Sequence, residues 1–347
     1  MKLDLKYIAF GISLLVVFGL TAQDIHFSQF HQTPQLLNPG ATGNYEGKGR
    51  LIINYRNQWG VIGTSYTTYA ASFDVPILKG KMNGGYLGIG GNFYKDAAGQ
   101  SQFGNTIGSL SLAGVLEVHD KGFLSLGIQA GLRQFSADLS NATWGSQFND
   151  YGFDTNLATN EPANTFSSKM YADIAAGVYY QLSNTTSSFL DETIHEMDFG
   201  IAVFHLNRPK QEFLGINEGR LPVKLVIQGA MEKGFALSPF AVVPTLFFAK
   251  QGAHTEFVAG MLVKISSGGT AKLTGFDKKM AIYLGGHYRW KDAIIGKLMF
   301  EIQDYMIGVS YDINVSSFSA VTNRAGSFEV SIKYTSNRKQ LLHGHSR

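Results

Sequence analysis

Apolar and polar residues alternate along most of this chain with a period of two, over segments near ten residues long. Phe328, Val330, Ile332 and Tyr334 share one face, with Ser327, Glu329, Ser331, Lys333 and Thr335 on the other. Leu124, Leu126, Ile128, Ala130 and Leu132 alternate with Ser125, Gly127, Gln129, Gly131 and Arg133. A third segment sets Met170, Ala172, Ile174, Ala176 and Val178 against Tyr171, Asp173, Ala175, Gly177 and Tyr179. A period of two is a strand signature. Strands of soluble domains average about 5–6 residues, so these segments are too long for an ordinary sandwich. They suit a wall with apolar residues facing lipid and polar ones facing a lumen.

Fourteen such segments follow one another: 50–59, 66–75, 85–94, 104–118, 122–138, 169–181, 197–205, 222–233, 241–249, 255–265, 280–290, 293–303, 305–312 and 326–335. The even number fits a bacterial single-chain barrel. Pro244 lacks a ladder donor and predicts an edge, a bulge or a shorter strand at 241–249. The expected fold is an all-β, transmembrane antiparallel barrel of about 14 strands over residues 50–335.

Composition supports a membrane wall. Only 16% of residues are charged, against about 25% in soluble domains. Glycine reaches 40 of 347 residues and aromatics 13%. A formal charge of +3 is no footprint for nucleic acid. The absence of cysteine removes disulfides, thiolate metal sites and cysteine nucleophiles. The run Tyr7–Leu20 is uncharged and shorter than the ~20 residues of a spanning helix. With Lys2 and Lys6 before it and Thr21-Ala22 after, it predicts a Sec signal peptide over 1–22. No later stretch reaches the ~18 apolar residues of a spanning helix, so a membrane protein of this kind must close a sheet.

Residues 23–49 carry turn chemistry at Asn38-Pro39-Gly40 and Gly43-Asn44, and predict a periplasmic or luminal segment. Residues 336–347 form a basic, polar tail. Placing the N-terminus in the periplasm puts the connection 139–168 outside the cell. Its Trp144, Phe148, Tyr151 and Phe153 are aromatics among polar residues, the usual anchors of a binding patch. Together with Trp59 they are the candidate partner-binding residues. Parity turns Arg56, Arg133, Asp173, Lys224, Lys297, Glu301, Glu329 and Lys333 inward. Both signs are present, so they either neutralise one another in a filled lumen or line a polar conduit.

Little else carries chemistry. Gly88, Gly90 and Gly91 resemble part of a dinucleotide loop, but they lie in a strand, where close backbone packing explains them. His195-Glu196 lacks the second histidine of a zinc-protease helix. His205, His254 and His287 fall on separate segments, and no metal or cofactor site is expected. Asn141-Ala142-Thr143 matches a glycosylation acceptor but reads as a loop tripeptide. No Gly-x-Ser-x-Gly serine turn is present, so no catalytic residue is expected. A passive channel or hydrophobic-solute transporter is the alternative reading, and a membrane lipase a second.

Several motifs in fixed order resemble the PorP/SprF family of Bacteroidota type IX secretion and gliding proteins. They are Phe27-Ser28-Gln29-Phe30, Leu37-Asn38-Pro39, Tyr55-Arg56-Asn57-Gln58-Trp59, Gly88-Ile89-Gly90 through Lys95-Asp96 to Gly99, and Gly127-Ile128-Gln129-Ala130-Gly131. Later come Gly286-His287-Tyr288-Arg289-Trp290, Ile307-Gly308-Val309-Ser310-Tyr311-Asp312 and Ser327-Phe328-Glu329-Val330. Phe328 stands where the family usually has histidine. The resemblance implies a non-enzymatic outer-membrane barrel. Its implied partners are a secreted client protein or other secretion components.

Overall fold

A computed structural model describes residues 24–60, 65–99, 101–138, 144–150, 152–158, 169–184, 194–213, 216–267, 280–316 and 319–336. Fourteen strands form one closed, antiparallel barrel. They are β1 (Gly49–Gln58), β2 (Tyr66–Met82), β3 (Gly85–Ala98), β4 (Phe103–His119), β5 (Gly122–Ser136), β6 (Lys169–Ser183) and β7 (Ile194–Phe204). The second half comprises β8 (Lys224–Gly234), β9 (Phe240–Gln251), β10 (His254–Ser267), β11 (Met280–Arg289), β12 (Ala293–Ile302), β13 (Tyr305–Asn314) and β14 (Ala325–Ser336). The ring closes where β1 pairs with β14, Gly49 opposite Ser336 and Gln58 opposite Ser327. The barrel itself is left with no open edge, which lipid requires. Among the described residues no helix is long and apolar enough to cross a membrane.

Each of the fourteen alternating segments coincides with a strand, and β2 runs on to Met82. Pro244 behaves differently from expectation. It sits inside the twelve-residue β9 and pairs with Met261 of β10. On its other side the β8–β9 ladder lapses between Ala230↔Thr245 and Lys233↔Val242, and resumes in the same register. The missing N–H costs one local bond, and the flanking pairs hold the strand in line.

The outer face is apolar. Leu110, Leu126, Ile128 and Leu132 are all more than half exposed, as lipid-facing residues of an isolated chain must be. The inner face departs from a purely polar lumen. Val226, Phe247, Val258 and Ile295 point inward and are buried in a cluster with Phe30 and Leu37. Their partners explain them: the chain before β1 lies inside the barrel. Residues 24–48 contain short helical turns at Phe30–Gln32, Pro34–Leu37 and Pro39–Ala41. Ser28, Gln29, Thr33, Gln35, Asn38, Ala41 and Thr42 have no exposed surface. This segment is packed on all sides within the wall.

The barrel has two distinct mouths. One, the terminal mouth, holds the start of β1 and the end of β14. The other, the long-loop mouth, carries the described parts of the connections that follow β5 and β7. Ile128 stands near the middle of the outer face of β5, where a charge in lipid costs ~2–4 kcal/mol. Ile128→Arg is therefore expected to reduce the yield of heat-modifiable barrel on unboiled gels. Gln129→Arg, one residue on and facing inward, should assemble at near the parental yield. Equal loss in both would show that the two faces are misassigned.

Candidate functional site

The segment 24–48 runs the length of the lumen, and the wall is shaped to receive it. At the terminal mouth Lys48 N–H donates to the Ser336 carbonyl at 2.9 Å. Above it Arg50 and Asp74 form a buried pair at 2.7 Å. Asp74 also accepts from the Gly43 N–H at 2.7 Å, and Arg50 donates to the Ala41 carbonyl at 3.0 Å. Gly43 has φ +70°, a left-handed turn that favours glycine. Further in, Asn38 donates to the Val178 carbonyl and accepts from the Gly40 N–H, at 2.9 and 2.8 Å. Ser125 donates to the Gly40 carbonyl at 2.6 Å.

Two wall glycines make this approach possible. A Cβ at Gly127 would collide with the backbone of Pro39, and one at Gly88 with the Thr42 carbonyl. Backbone lies directly on backbone there, so no side chain could move aside.

Toward the long-loop mouth the fit becomes ionic. Glu329 is fully buried and accepts from the Ser28 and Gln29 N–H groups, at 2.7 and 3.0 Å. The Gln29 side chain donates to the Glu329 carbonyl at 3.2 Å and accepts from Ser331 at 2.7 Å. Ser28 donates to Asp312 at 2.7 Å and accepts from Arg289 at 2.9 Å. Arg289 pairs with Asp312 at 3.0 Å and with Glu256 at 3.2 Å. Arg56 donates to the His26 carbonyl at 2.5 Å and lies 3.7 Å from Asp312.

The segment reaches the mouth at Asp24. Its carboxylate pairs with Arg133 and His205, each at 2.7 Å, and with Lys224 at 3.7 Å. His205 meets Asp173 with its other ring nitrogen at 2.9 Å. Facing a carboxylate at both nitrogens favours the imidazolium, which can donate twice. Burial opposes the charge on Asp24, but Arg133, Lys224 and His205 hold its carboxyl well below the usual range. Burial likewise disfavours a charged His205, yet Asp24 and Asp173 raise it above its ordinary value.

The inward charges fall into place around this segment. Arg133 and Lys224 pair with Asp24, Asp173 with His205 and Arg133, and Arg56 with Asp312. Lys297 lies over the Phe30 ring at 4.7 Å, and Tyr283 donates to Glu301 at 2.6 Å. Lys333 is half-buried on β14. Motif residues Phe27, Ser28, Gln29, Asn38 and Pro39 all belong to the buried segment. Arg56 and Gln58 bond to each other at 3.4 Å, whereas Tyr55 packs outward on Tyr69.

Trp59 directly follows β1 at the long-loop mouth, edge-on to Tyr66 at 5.2 Å. Trp144 is half-buried. Phe148 and Phe153 face each other across a small hairpin at 5.4 Å, and remain 56% and 43% exposed. Tyr151 lies outside the described residues. Asp24 and His205 were invisible as a site to sequence reasoning, because each looks isolated until the segment threads the lumen.

The sequence pattern of the family described as type IX secretion system membrane protein PorP/SprF matches residues 20–334. The chain belongs to the PorP/SprF family. With the closed barrel, this places it in the outer membrane as a secretion-system membrane component. No curated protein matches it. Solved barrels are similar at low identity. The TodX monoaromatic hydrocarbon channel (deltaS2 mutant) is 9% identical, TM-score 0.46, covering 88% of this chain and 94% of that one. The Ralstonia pickettii toluene transporter TbuX is 10% identical, TM-score 0.43, covering 88% and 93%. BamA from Haemophilus ducreyi, lacking POTRA domains 1–3, is 9% identical, TM-score 0.43, covering 84% and 70%.

Two outcomes follow for this PorP/SprF barrel. Gly127→Val should leave the barrel heat-modifiable but release the inner segment, raising proteolytic cleavage within 34–44 at least tenfold. Unchanged cleavage would show that Pro39 does not press on that glycine. The Asp24 contacts should also depend on pH, through Asp24 and His205, which face Arg133, Lys224 and Asp173. A raised histidine stabilises fully below its unfolded value of ~6.5 and loses this as pH rises through its folded value. A depressed carboxyl stabilises above ~3.9 and loses this as pH falls through its folded value. Rate-corrected hydrogen exchange of the Asp24–Gln29 amides should thus be slowest near pH 5 and quicken toward pH 9. In Asp24→Asn the alkaline quickening should largely vanish; its persistence would remove His205 from the account.

Proposed function

We propose that this barrel acts without catalysis, supporting export or surface attachment of a specific secreted client at the long-loop mouth. The observation that carries the reading is the pairing of an occupied lumen with an exposed aromatic rim. Residues 24–48 are packed into the barrel, so the interior is taken up by the chain itself. At the rim, Phe148 and Phe153 stay solvent-facing on a hairpin rather than folding back to bury their rings. Exposed aromatics on a polar loop form the kind of anchor that binding interfaces use. Trp59 and Trp144 lie at the same mouth, and Tyr151 belongs to the same connection.

The orientation that suits this role keeps the terminal mouth in the periplasm and the long connections outside, the usual arrangement of such barrels. The signal peptide over residues 1–22 supplies the export route, with a mature chain from Gln23. The barrel partners are then outer-membrane lipid, the client and other secretion components. Gliding is one process such a client could serve.

Deleting 141–164 is expected to leave the barrel assembled while the client is released into the medium or stranded in the periplasm. Comparative proteomics of surface, medium and periplasm would show it. If every exported protein reaches its normal place after loss of the whole gene, the secretion role is wrong.

A further inference from the structure

The lumen end at Asp24 is built as a carboxylate-binding seat. Arg133 and His205 are buried, and each presents an N–H donor to Asp24 at 2.7 Å, with Lys224 at 3.7 Å. The wall supplies all three cations from β5, the β7 end and β8. Among the described residues Asp173 is the wall carboxylate in ion-pair contact with them, 2.9 Å from His205 and 3.5 Å from Arg133. Tyr94 accepts from the second arm of Arg133 at 3.3 Å. Without Asp24 the seat would hold three cationic groups against one carboxylate in a largely desolvated place. Uncompensated buried charge is strongly unfavourable, so an emptied seat demands an anion.

Access is available from the mouth. The side chains of Lys224 and Asp173 keep 14% and 13% of their surface exposed, and Asp24 keeps 8%. The occupant is also held differently from the rest of its segment. Ser28 to Gly43 are fixed by backbone bonds and glycine contacts, whereas Asp24 is held by its carboxylate and one 3.3 Å bond from its N–H to Gln251. A rival carboxylate has only these side-chain contacts and one backbone bond to displace.

We propose that Asp24 is an internal stand-in, and that the seat of Arg133, His205 and Lys224 binds a carboxylate side chain of an incoming acidic peptide segment. This deepens the client reading, on which it rests for the source of the peptide. The assay below uses purified barrel and so succeeds or fails apart from the secretion experiment.

Asp24→Asn keeps the shape of the side chain and removes its charge. The probe is a fluorescein-labelled hexapeptide with one aspartate, acetylated and amidated at its ends, beside its asparagine counterpart. Fluorescence anisotropy should show the aspartate peptide binding Asp24→Asn at least tenfold more tightly than the parent protein. The asparagine peptide should gain nothing, and Asp24→Asn with Arg133→Gln should lose the gain. Equal affinity for parent and Asp24→Asn, or for the two peptides, would overturn the proposal. Should Asp24→Asn assemble poorly, the aspartate peptide added during refolding should raise its heat-modifiable yield and the asparagine peptide should not. Identical yields with both would overturn it equally.

Discussion

A wall of fourteen strands encloses more room than its own side chains fill, and every charge turned into that room must find a partner away from bulk water. An eight-stranded barrel can close on its own side chains, while porins of 16–18 strands keep an aqueous channel. Here the chain solves the problem with its own first residues. Glu329 illustrates the dependence most directly. It is fully buried, and the Ser28 and Gln29 N–H groups satisfy its carboxylate. Take those donors away and a buried carboxyl group loses its hydrogen bonds, a cost of about 1–3 kcal/mol for each buried polar group left unsatisfied. The inner apolar cluster obeys the same logic, because Val226, Phe247 and Ile295 have a dry environment only while Phe30 and Leu37 lie on them.

The wall was plain in the sequence because lipid imposes a simple rule. Every second residue had to be apolar, as Leu124, Leu126 and Ile128 are, and each alternating segment became a strand. The interior follows no such rule. Phe27-Ser28-Gln29 and Asn38-Pro39 have no period, since each residue answers to a different patch of wall. What signal there was lay in the wall itself. Gly88 reads locally as close backbone packing, and the structure supplies the partner: the Thr42 carbonyl, 46 residues earlier. Asp24 and His205 are 181 positions apart, and no local pattern connects them. Pro244 departs from its local rule because the register on both neighbours holds β9 straight.

An occupied lumen moves attention to the rim. The buried charges neutralise one another, Asp24 of the segment against Arg133 of the wall, and Arg289 against Asp312 within the wall beneath Ser28. They therefore act chiefly as fasteners. The exposed Phe148 and Phe153 stand at the same mouth as Asp24, and the proposed client-binding role rests on that shared face.

Planar-bilayer recording on the purified protein tests the central claim, that residues 24–48 occupy and close the lumen. The parent barrel should show no sustained open level, and a chain lacking 24–44 should insert with a stable ohmic conductance. A parent barrel that conducts steadily at the level of the deletion would contradict the account, because the segment would then not fill the lumen.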